Sequence, residues 1–246
     1  MILKMERIDH VLGYPNLKIY QNSDFFSFSL DSIILGNFSH IRERDQKIVD
    51  FCSGNAIVPL ILSRRTQKHI DAVEIQKPIY ELALKSVQIN QLEHQISVFC
   101  EDVVQYSKRN SDSYDLVLCN PPYFKIYESS KKNISIEKQI ARHEIKMNLE
   151  LLCKCAKQIL KEHGNFCLVH RSERLLEILI EFRKNGLEPK KIKFIHEKQC
   201  KPSHLVLIEG QKKGSPGLII EEPFILYDED GTMTENYQKL QKEVWR

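Results

Sequence analysis

Glycine is scarce in this sequence. Nine glycines among 246 residues are about half of the ~7% that soluble proteins usually contain. A glycine-rich repeat and a flexible glycine-rich array are therefore excluded. Few glycines are available for a tight functional loop, so each one in such a loop is informative. The length indicates one large domain. With 42% hydrophobic and 28% charged residues, the remaining composition excludes disorder and a coiled coil.

Long apolar runs are missing as well. No stretch approaches the ~18–20 uninterrupted apolar residues of a membrane helix. The first ten residues, MILKMERIDH, carry a lysine at position 4 and lack the apolar centre of a signal peptide. We therefore expect a cytoplasmic protein that does not contact a membrane.

Cysteine pairs with metal-ligand spacing are absent too. The seven cysteines are scattered, most of them in apolar runs, and their spacings do not match a zinc site. Cys153 and Cys155 are one residue apart in a helical pattern, so they should point to different faces of a helix. We expect free, buried thiols in a reducing compartment and no bound metal.

Between residues 47 and 184, short apolar runs alternate with amphipathic helical patterns. This alternation is typical of a doubly wound, mostly parallel sheet. The predicted strands are 48–52, 70–75, 96–100, 114–119 and 165–170, and the predicted helices are 57–65, 79–90, 103–108, 149–164 (ended by Gly164) and 172–186 (capped by Ser172).

The end of the alternation is different. Two strand-like runs, 190–198 and 204–212, are joined by five residues, which are too few for a crossover helix, so they should form an antiparallel hairpin. We predict an α/β fold whose mostly parallel sheet ends in this hairpin. We expect an N-terminal segment (1–46) that helps to close a pocket, a main domain (47–213), and a C-terminal extension (214–246) packed on that domain.

Polar residues follow the first three predicted strands, where open α/β sheets bind ligands. Asp50 begins the loop DFCSGNAI, in which Gly54 lets the backbone approach a ligand closely. Glu74 ends the second strand. Its two carboxylate oxygens can accept hydrogen bonds from both ribose hydroxyls of a cofactor that contains a ribose. Asp102 follows the third strand. The residues alone leave open a plain strand–turn–helix corner, an exposed strand end and a helix cap at these three places.

The fourth predicted strand ends in Asn120, Pro121, Pro122 and Tyr123. Two prolines fix φ and remove two N–H donors, so a proline carbonyl can face a ligand as a rigid acceptor. The Asn120 side-chain oxygen and the Pro121 carbonyl can accept both N–H bonds of an exocyclic amine, while the Tyr123 ring stacks on its plane. The set suits a planar group that bears an NH2. A rigid turn after a buried strand is the alternative.

Together, the order of strands and helices, the Asp50 loop and the Asn-Pro-Pro-Tyr run resemble those of the seven-stranded class I S-adenosylmethionine-dependent methyltransferases that act on planar amines. The runs 26–38 (FSFSLDSIILGNF) and 140–145 (IARHEI), and the ending from VLIEGQKKGSPGL to EEPFILYDEDG, are similar to the bacterial tRNA1(Val) adenine-N6 methyltransferases. The resemblance implies methyl transfer from S-adenosylmethionine to N6 of adenosine 37, beside the tRNA anticodon.

The resemblance also implies which residues act. It assigns catalysis to Asn120, Pro121, Pro122 and Tyr123. It assigns cofactor contacts to Asp31, Asp50, Ser53, Gly54, Asn55, Ala56, Glu74, Ile75, Asp102, Val103 and Asn120. Cys52 and Ala56 stand where such loops commonly carry glycine, which leaves the backbone contacts to the methionine part of the cofactor open.

The net charge of +3 is too small to indicate RNA binding by itself, but its distribution is uneven. Residues 125–146 carry six Lys/Arg against three Glu, and residues 181–213 carry nine against four. These regions can track phosphates beside the pocket, or they can be plain solvated surface. His143 is either a packed histidine or a nucleic-acid contact. The predicted RNA-binding residues are Phe124, Lys125, Lys131, Lys132, Arg142, His143, Lys198 and Lys201.

Other functions are compatible with the Asn-Pro-Pro-Tyr run. Glutamine-N5 methylation of a release factor uses the same run, but that family usually carries an N-terminal helical domain, for which the residues before the first predicted strand leave little room. Guanine-N2 methylation of rRNA, a DNA-adenine enzyme and a binding module without catalysis are further alternatives. The sequence allows a monomer or a homodimer.

Overall fold

The computed structural model describes residues 6–22, 29–122 and 148–242. In these ranges the chain forms a nine-stranded sheet and a separate two-stranded hairpin. The strands are β1 (Glu6–Val11), β2 (Tyr14–Asn22), β3 (Lys47–Phe51), β4 (His69–Glu74), β5 (Ile96–Cys100), β6 (Tyr114–Cys119), β7 (Leu160–Arg171), β8 (Leu187–Lys198), β9 (Leu205–Lys212), β10 (Ile219–Ile220) and β11 (Phe224–Tyr227). The helices are α1 (Leu30–Phe38), α2 (Ile57–Ser63), α3 (Lys77–Ile89), α4 (Val103–Arg109), α5 (Leu149–Ile159), α6 (Leu175–Lys184) and α7 (Glu235–Gln241), with a 3-10 turn at Ser172–Arg174.

The sheet order is β10-β8-β9-β7-β6-β3-β4-β5, and β11 also pairs with β8. Strands β3 to β7 are parallel to one another, whereas β9 is antiparallel to both β7 and β8. The predicted α/β fold with a terminal antiparallel hairpin is therefore confirmed. The chain order reverses between β3 and β6, so their carboxyl ends form the switch point at which such sheets bind ligands.

Both faces of the parallel strands are buried, which explains why these strands read as continuous apolar runs. Ile48 and Val49, adjacent on β3, belong to two different apolar clusters on opposite faces. Helices α1, α2 and α3 cover the first face and helices α4, α5 and α6 the second. In the described ranges, the helices are too short or too polar to cross a membrane.

The helix predicted over 149–164 is shorter than expected. It ends at Ile159, because Leu160 pairs with Tyr114 and begins β7. Gly164 lies inside that strand, where an added Cβ would approach the Leu160 side chain to 2.8 Å. Cys153 and Cys155 are both buried, although they lie on different sides of the helix, because α5 packs between α4 and α6.

The cap predicted at Ser172 is also wrong. The Ser172 hydroxyl donates to the Ser203 carbonyl, and its backbone N–H donates to the His204 carbonyl at 3.2 Å. Both groups therefore bind the β8–β9 turn. Helix α6 begins only at Leu175, after the 3-10 turn.

The hairpin β1–β2 was not predicted, and it packs against α3 rather than joining the large sheet. The Asn90 side chain bonds Lys18 twice: its Nδ2 donates to the Lys18 carbonyl at 2.6 Å and its Oδ1 accepts from the Lys18 N–H at 2.9 Å. The Tyr20 N–H donates to Ser86 Oγ at 3.0 Å. These bonds place the end of β2 beside the loop after β3.

A buried polar cluster stabilises the amino end of the sheet. Asp71 on β4 is almost fully buried, and its Oδ2 accepts hydrogen bonds from the hydroxyls of Tyr106, at 3.0 Å, and Tyr114. Lys47 Nζ lies 3.6 Å from the same oxygen. Burial raises the pKa of both tyrosines, so both keep their donor protons. The cluster links β4, β6 and α4 through one carboxylate.

We predict that Tyr114→Phe lowers the free energy of unfolding by about 1.5–3 kcal/mol, since it removes one of the hydrogen bonds to a buried charged group. Urea unfolding of the variant and the wild type measures this difference. A change below about 0.5 kcal/mol would show that Tyr106 and Lys47 alone satisfy Asp71.

Candidate functional site

The carboxyl ends of β3, β4 and β6 meet at one edge of the sheet. Phe51 pairs with Val73 on one side and with Cys119 on the other. The residues that directly follow these three strands are therefore neighbours, although they are far apart in the sequence. This edge brings together Asp50, the loop 52–56, Glu74 and Asn120.

The loop after β3 has an unusual backbone. Cys52, Gly54 and Ala56 all have left-handed φ angles, of 55°, 57° and 69°. This conformation costs an L-residue about 1–2 kcal/mol, so the two positions that lack the expected glycine retain a glycine-like backbone. Among the described residues, an added Cβ at Gly54 would meet nothing within 4 Å.

Glu74 supports this loop from the neighbouring strand. Its Oε2 accepts the Gly54 N–H at 3.0 Å, and its Oε1 accepts the Gln76 N–H at 2.9 Å. The residue is 5% exposed, which excludes an exposed strand end.

Asp50 is the most unusual charge at this edge. It is 1% exposed, and its Oδ2 has no hydrogen-bond partner among the described residues. Burial, and then the nearby Glu74 carboxylate, raise the pKa of Asp50 well above its usual value. Burial also raises the pKa of Glu74, although backbone N–H donors oppose the shift. Donors or a positive charge on a ligand would stabilise both groups.

Asn120 follows β6, and among the described residues its amide is held through the nitrogen. Its Nδ2 donates to Ser32 Oγ on α1 at 2.8 Å, whereas its Oδ1 is buried and has no partner among the described residues. Ser53 Oγ is also buried and has no partner among the described residues. Buried polar atoms without partners are rare in proteins, and three of the six found in the described ranges are Asp50 Oδ2, Ser53 Oγ and Asn120 Oδ1.

Two other predicted cofactor contacts have structural partners. Asp102 caps α4, since one carboxylate oxygen accepts the Val104 N–H at 2.8 Å. Asn55 Nδ2 donates to the Tyr20 carbonyl at 3.0 Å, so this side chain ties the loop to the hairpin β1–β2.

The remaining predicted residues divide into two groups. Among the described ones, Ala56, Val103 and Pro121 are buried, Pro122 and Asp31 are half-buried and Ile75 is exposed. The others lie outside the described residues, and they are Tyr123, Phe124, Lys125, Lys131, Lys132, Arg142 and His143.

The β8–β9 turn lies at the same end of the sheet as the site, because β9 is antiparallel to both β7 and β8. Lys201 is exposed in this turn, and Lys198 Nζ donates to the Glu229 carbonyl at 3.0 Å. His204 belongs to the same region. Burial and then Arg171 lower its pKa, whereas Asp31 on α1 raises it.

Three residues of this region were missed by sequence reasoning: Ser32, Arg171 and His204. Ser32 lies within the run 26–38 but was not singled out there, and no sequence pattern drew attention to Arg171 or His204. Within the described part of the chain, no three His, Cys, Asp or Glu side chains are grouped in a way that could hold a metal ion.

We predict that Asp50→Asn raises the stability of the free protein at pH 8. A carboxyl whose folded pKa is raised costs stability as the pH rises from its unfolded pKa through its folded pKa. The gain should therefore grow as the pH rises from 4 to 8. Urea unfolding across this range measures it.

Asp115→Asn is the matched control of opposite sign. Burial alone would raise the pKa of Asp115, but backbone N–H bonds from Gln46 and Lys47 and an ion pair with Lys161 hold it below the usual value. This carboxylate contributes stability above its unfolded pKa, and the contribution is lost as the pH falls. Its variant should lose stability at pH 8. Parallel pH profiles for the two variants would contradict the assignment.

Comparisons with known proteins identify relatives that align over most of the chain. A relative from Actinobacillus pleuropneumoniae serotype 7, named tRNA1(Val) (adenine(37)-N6)-methyltransferase, is 28% identical over 87% of this chain and 88% of its own. A relative of the same name from Flavobacterium psychrophilum is 23% identical over 86% and 91%.

Solved structures share the fold at low identity. A predicted O-methyltransferase from Agrobacterium tumefaciens matches 87% of this chain and 96% of its own, with a TM-score of 0.66 and 17% identity. TYW2 of M. jannaschii, solved in complex with AdoMet, matches 86% and 87%, with a TM-score of 0.59 and 15% identity. The family described as the methyltransferase small domain matches residues 31–184. This range includes the three strand ends of the site, and the chain belongs to that family.

Proposed function

We propose that this protein transfers a methyl group from S-adenosylmethionine to the exocyclic N6 of an adenine in tRNA. The main support for this proposal is the Asn120 amide at the end of β6. Its oxygen is buried and has no hydrogen-bond partner among the described residues. The names of the relatives support adenosine 37 of valine tRNA as the target. A tRNA substrate also fits the predicted cytoplasmic location.

The residues at the strand ends fit S-adenosylmethionine. When bound, it supplies an electrophilic methyl group on a positively charged sulfur. Asp50 and Glu74 form a buried acidic pair that a cation and hydroxyl donors would stabilise. Among the described residues, no atom would lie within 4 Å of a Cβ added at Gly54. The second oxygen of Asp102 can accept a hydrogen bond from an adenine amine while the first caps α4.

Asn120 and Pro121 would hold the amine that receives the methyl group. The Asn120 Oδ1 and the Pro121 carbonyl can each accept one of its N–H bonds, and this direction of bonding aims the nitrogen lone pair at the methyl donor. Proline at 121 and 122 fixes the backbone there. Positioning then supplies most of the rate enhancement, and no base has to remove a proton before attack.

The names of the relatives favour a tRNA over a release factor as the substrate. Guanine-N2 methylation differs in the nucleobase that carries the amine, and product analysis separates it from the proposal.

We predict that the protein, incubated with labelled S-adenosylmethionine and bulk tRNA, yields N6-methyladenosine on nucleoside digestion. Asn120→Ala should lower the turnover by about 100-fold or more, because it removes the acceptor for the amine. Its cofactor affinity, measured by calorimetry, should stay within about threefold of the wild type.

Other products decide against the proposal. Labelled N2-methylguanosine would show that guanine is the substrate. A labelled release factor with inert tRNA would show that the substrate is a protein. Wild-type turnover in Asn120→Ala would remove the assigned role of the residue.

We also predict that Lys198→Ala with Lys201→Ala weakens tRNA binding by about three- to tenfold at ~100 mM salt. The log–log salt dependence should become shallower by up to about two, because each lost phosphate contact reduces the slope by about one. Binding titrations at several salt concentrations measure both quantities.

Lys157→Ala with Lys184→Ala is the charge-matched control. Both lysines are exposed in the last turns of α5 and α6, at the opposite end of the sheet. If the two double variants have equal effects, net charge rather than a surface beside the site determines the affinity.

A further inference from the structure

Ser32 is the one side chain that the structure shows holding the Asn120 amide within the described ranges. The two residues are 88 positions apart, and Asn120 Nδ2 donates to Ser32 Oγ at 2.8 Å. Ser32 lies in the first turn of α1 and is 7% exposed. The bond therefore joins the helix before the sheet to the residue that follows β6.

The orientation of an asparagine amide decides its chemistry. Its oxygen accepts hydrogen bonds and its nitrogen only donates, so an amide turned by 180° would present N–H groups to the N–H groups of the substrate amine. With the nitrogen bonded to Ser32, the oxygen is the end left for a ligand. Serine hydroxyls in helices commonly donate to a carbonyl three or four residues earlier, which leaves their lone pairs to accept.

Helix α1 is a rigid support for this bond. Ile33, Ile34 and Leu35 are buried, the last two completely. An added Cβ at Gly36 would approach the Ile61 side chain on α2 to 2.9 Å, so the two helices are in close contact. Arg65 Nη1 donates to the Gly36 carbonyl at 2.6 Å. Rotation or sliding of α1 would break these contacts, so the Ser32 hydroxyl has a fixed place.

We propose that Ser32 is a positioning residue, which holds the Asn120 amide with its oxygen towards the amine to be methylated. This inference rests on the proposed function. It assigns to α1 a part in the reaction, and it makes the productive amide orientation depend on one hydroxyl.

Kinetics of Ser32→Ala test the proposal. We expect kcat to fall by about 10- to 100-fold, while KM for tRNA and the dissociation constant of S-adenosylmethionine change by less than about threefold. In an Asn120→Ala background, Ser32→Ala should have no further effect on the residual rate, since the amide it positions is gone. A wild-type kcat in Ser32→Ala overturns the proposal.

Ser63→Ala is the matched control. Ser63 is also a buried serine on a helix of the same face, and its hydroxyl donates to the Leu60 carbonyl at 2.7 Å. This variant should keep the wild-type kcat. If both variants lose kcat equally, Ser32 acts only through stability and the positioning role is rejected.

A spectroscopic measurement separates this inference from the proposed function. In protein labelled with 15N-asparagine, the side-chain NH2 signal of Asn120, assigned from Asn120→Ala, should exchange slowly with water in the wild type and in Ser63→Ala. It should exchange faster in Ser32→Ala. If the protein methylates no adenine, this signal still decides whether Ser32 fixes the amide. An unchanged signal in Ser32→Ala rejects the role, whatever the activity.

Discussion

The pairing of β3 with β6 is the constraint on which the site depends. These strands are neighbours in the sheet but not in the chain, and their parallel register sets Phe51 beside Cys119. The loop 52–56 and Asn120 leave the sheet side by side as a result. Both faces of the two strands are buried, so a slip of one residue would exchange the faces and break the packing on both sides. The polar groups are held in place before any ligand arrives.

This edge of the sheet carries two destabilising features. Cys52 and Ala56 have left-handed backbones, and Asp50 carries a buried oxygen without a partner among the described residues. Strain and buried charge of this kind persist only where the surroundings enforce them. The Ser53 N–H donates to the Val73 carbonyl at 3.1 Å, and the Ala56 N–H to the Ser53 carbonyl at 3.0 Å. The central sheet thus stabilises a loop that its own sequence would not favour.

Sequence patterns predicted the central sheet because its strands are short, apolar and buried on both faces. They failed at two places. Most of β1 is exposed, so no apolar run marks that strand. Leu160 continues the apolar pattern of α5, although it pairs in a strand. The acidic strand ends and Asn120 could be found from their positions. The left-handed Cys52 and Ala56 and the bond from Asn120 to Ser32 depend on backbone angles and tertiary packing, which no local pattern encodes.

The chain after β9 has a consequence for self-association. Strand β8 has twelve residues, and a long open edge of that kind can pair with a second molecule. Two short parallel strands, β10 and β11, instead lie along it and bond different parts of its length. Ile219 and Ile220 remain exposed on the outer piece, but two paired residues are a poor template for an added strand. By covering this edge, the C-terminal strands make pairing of β8 with a second molecule less favourable.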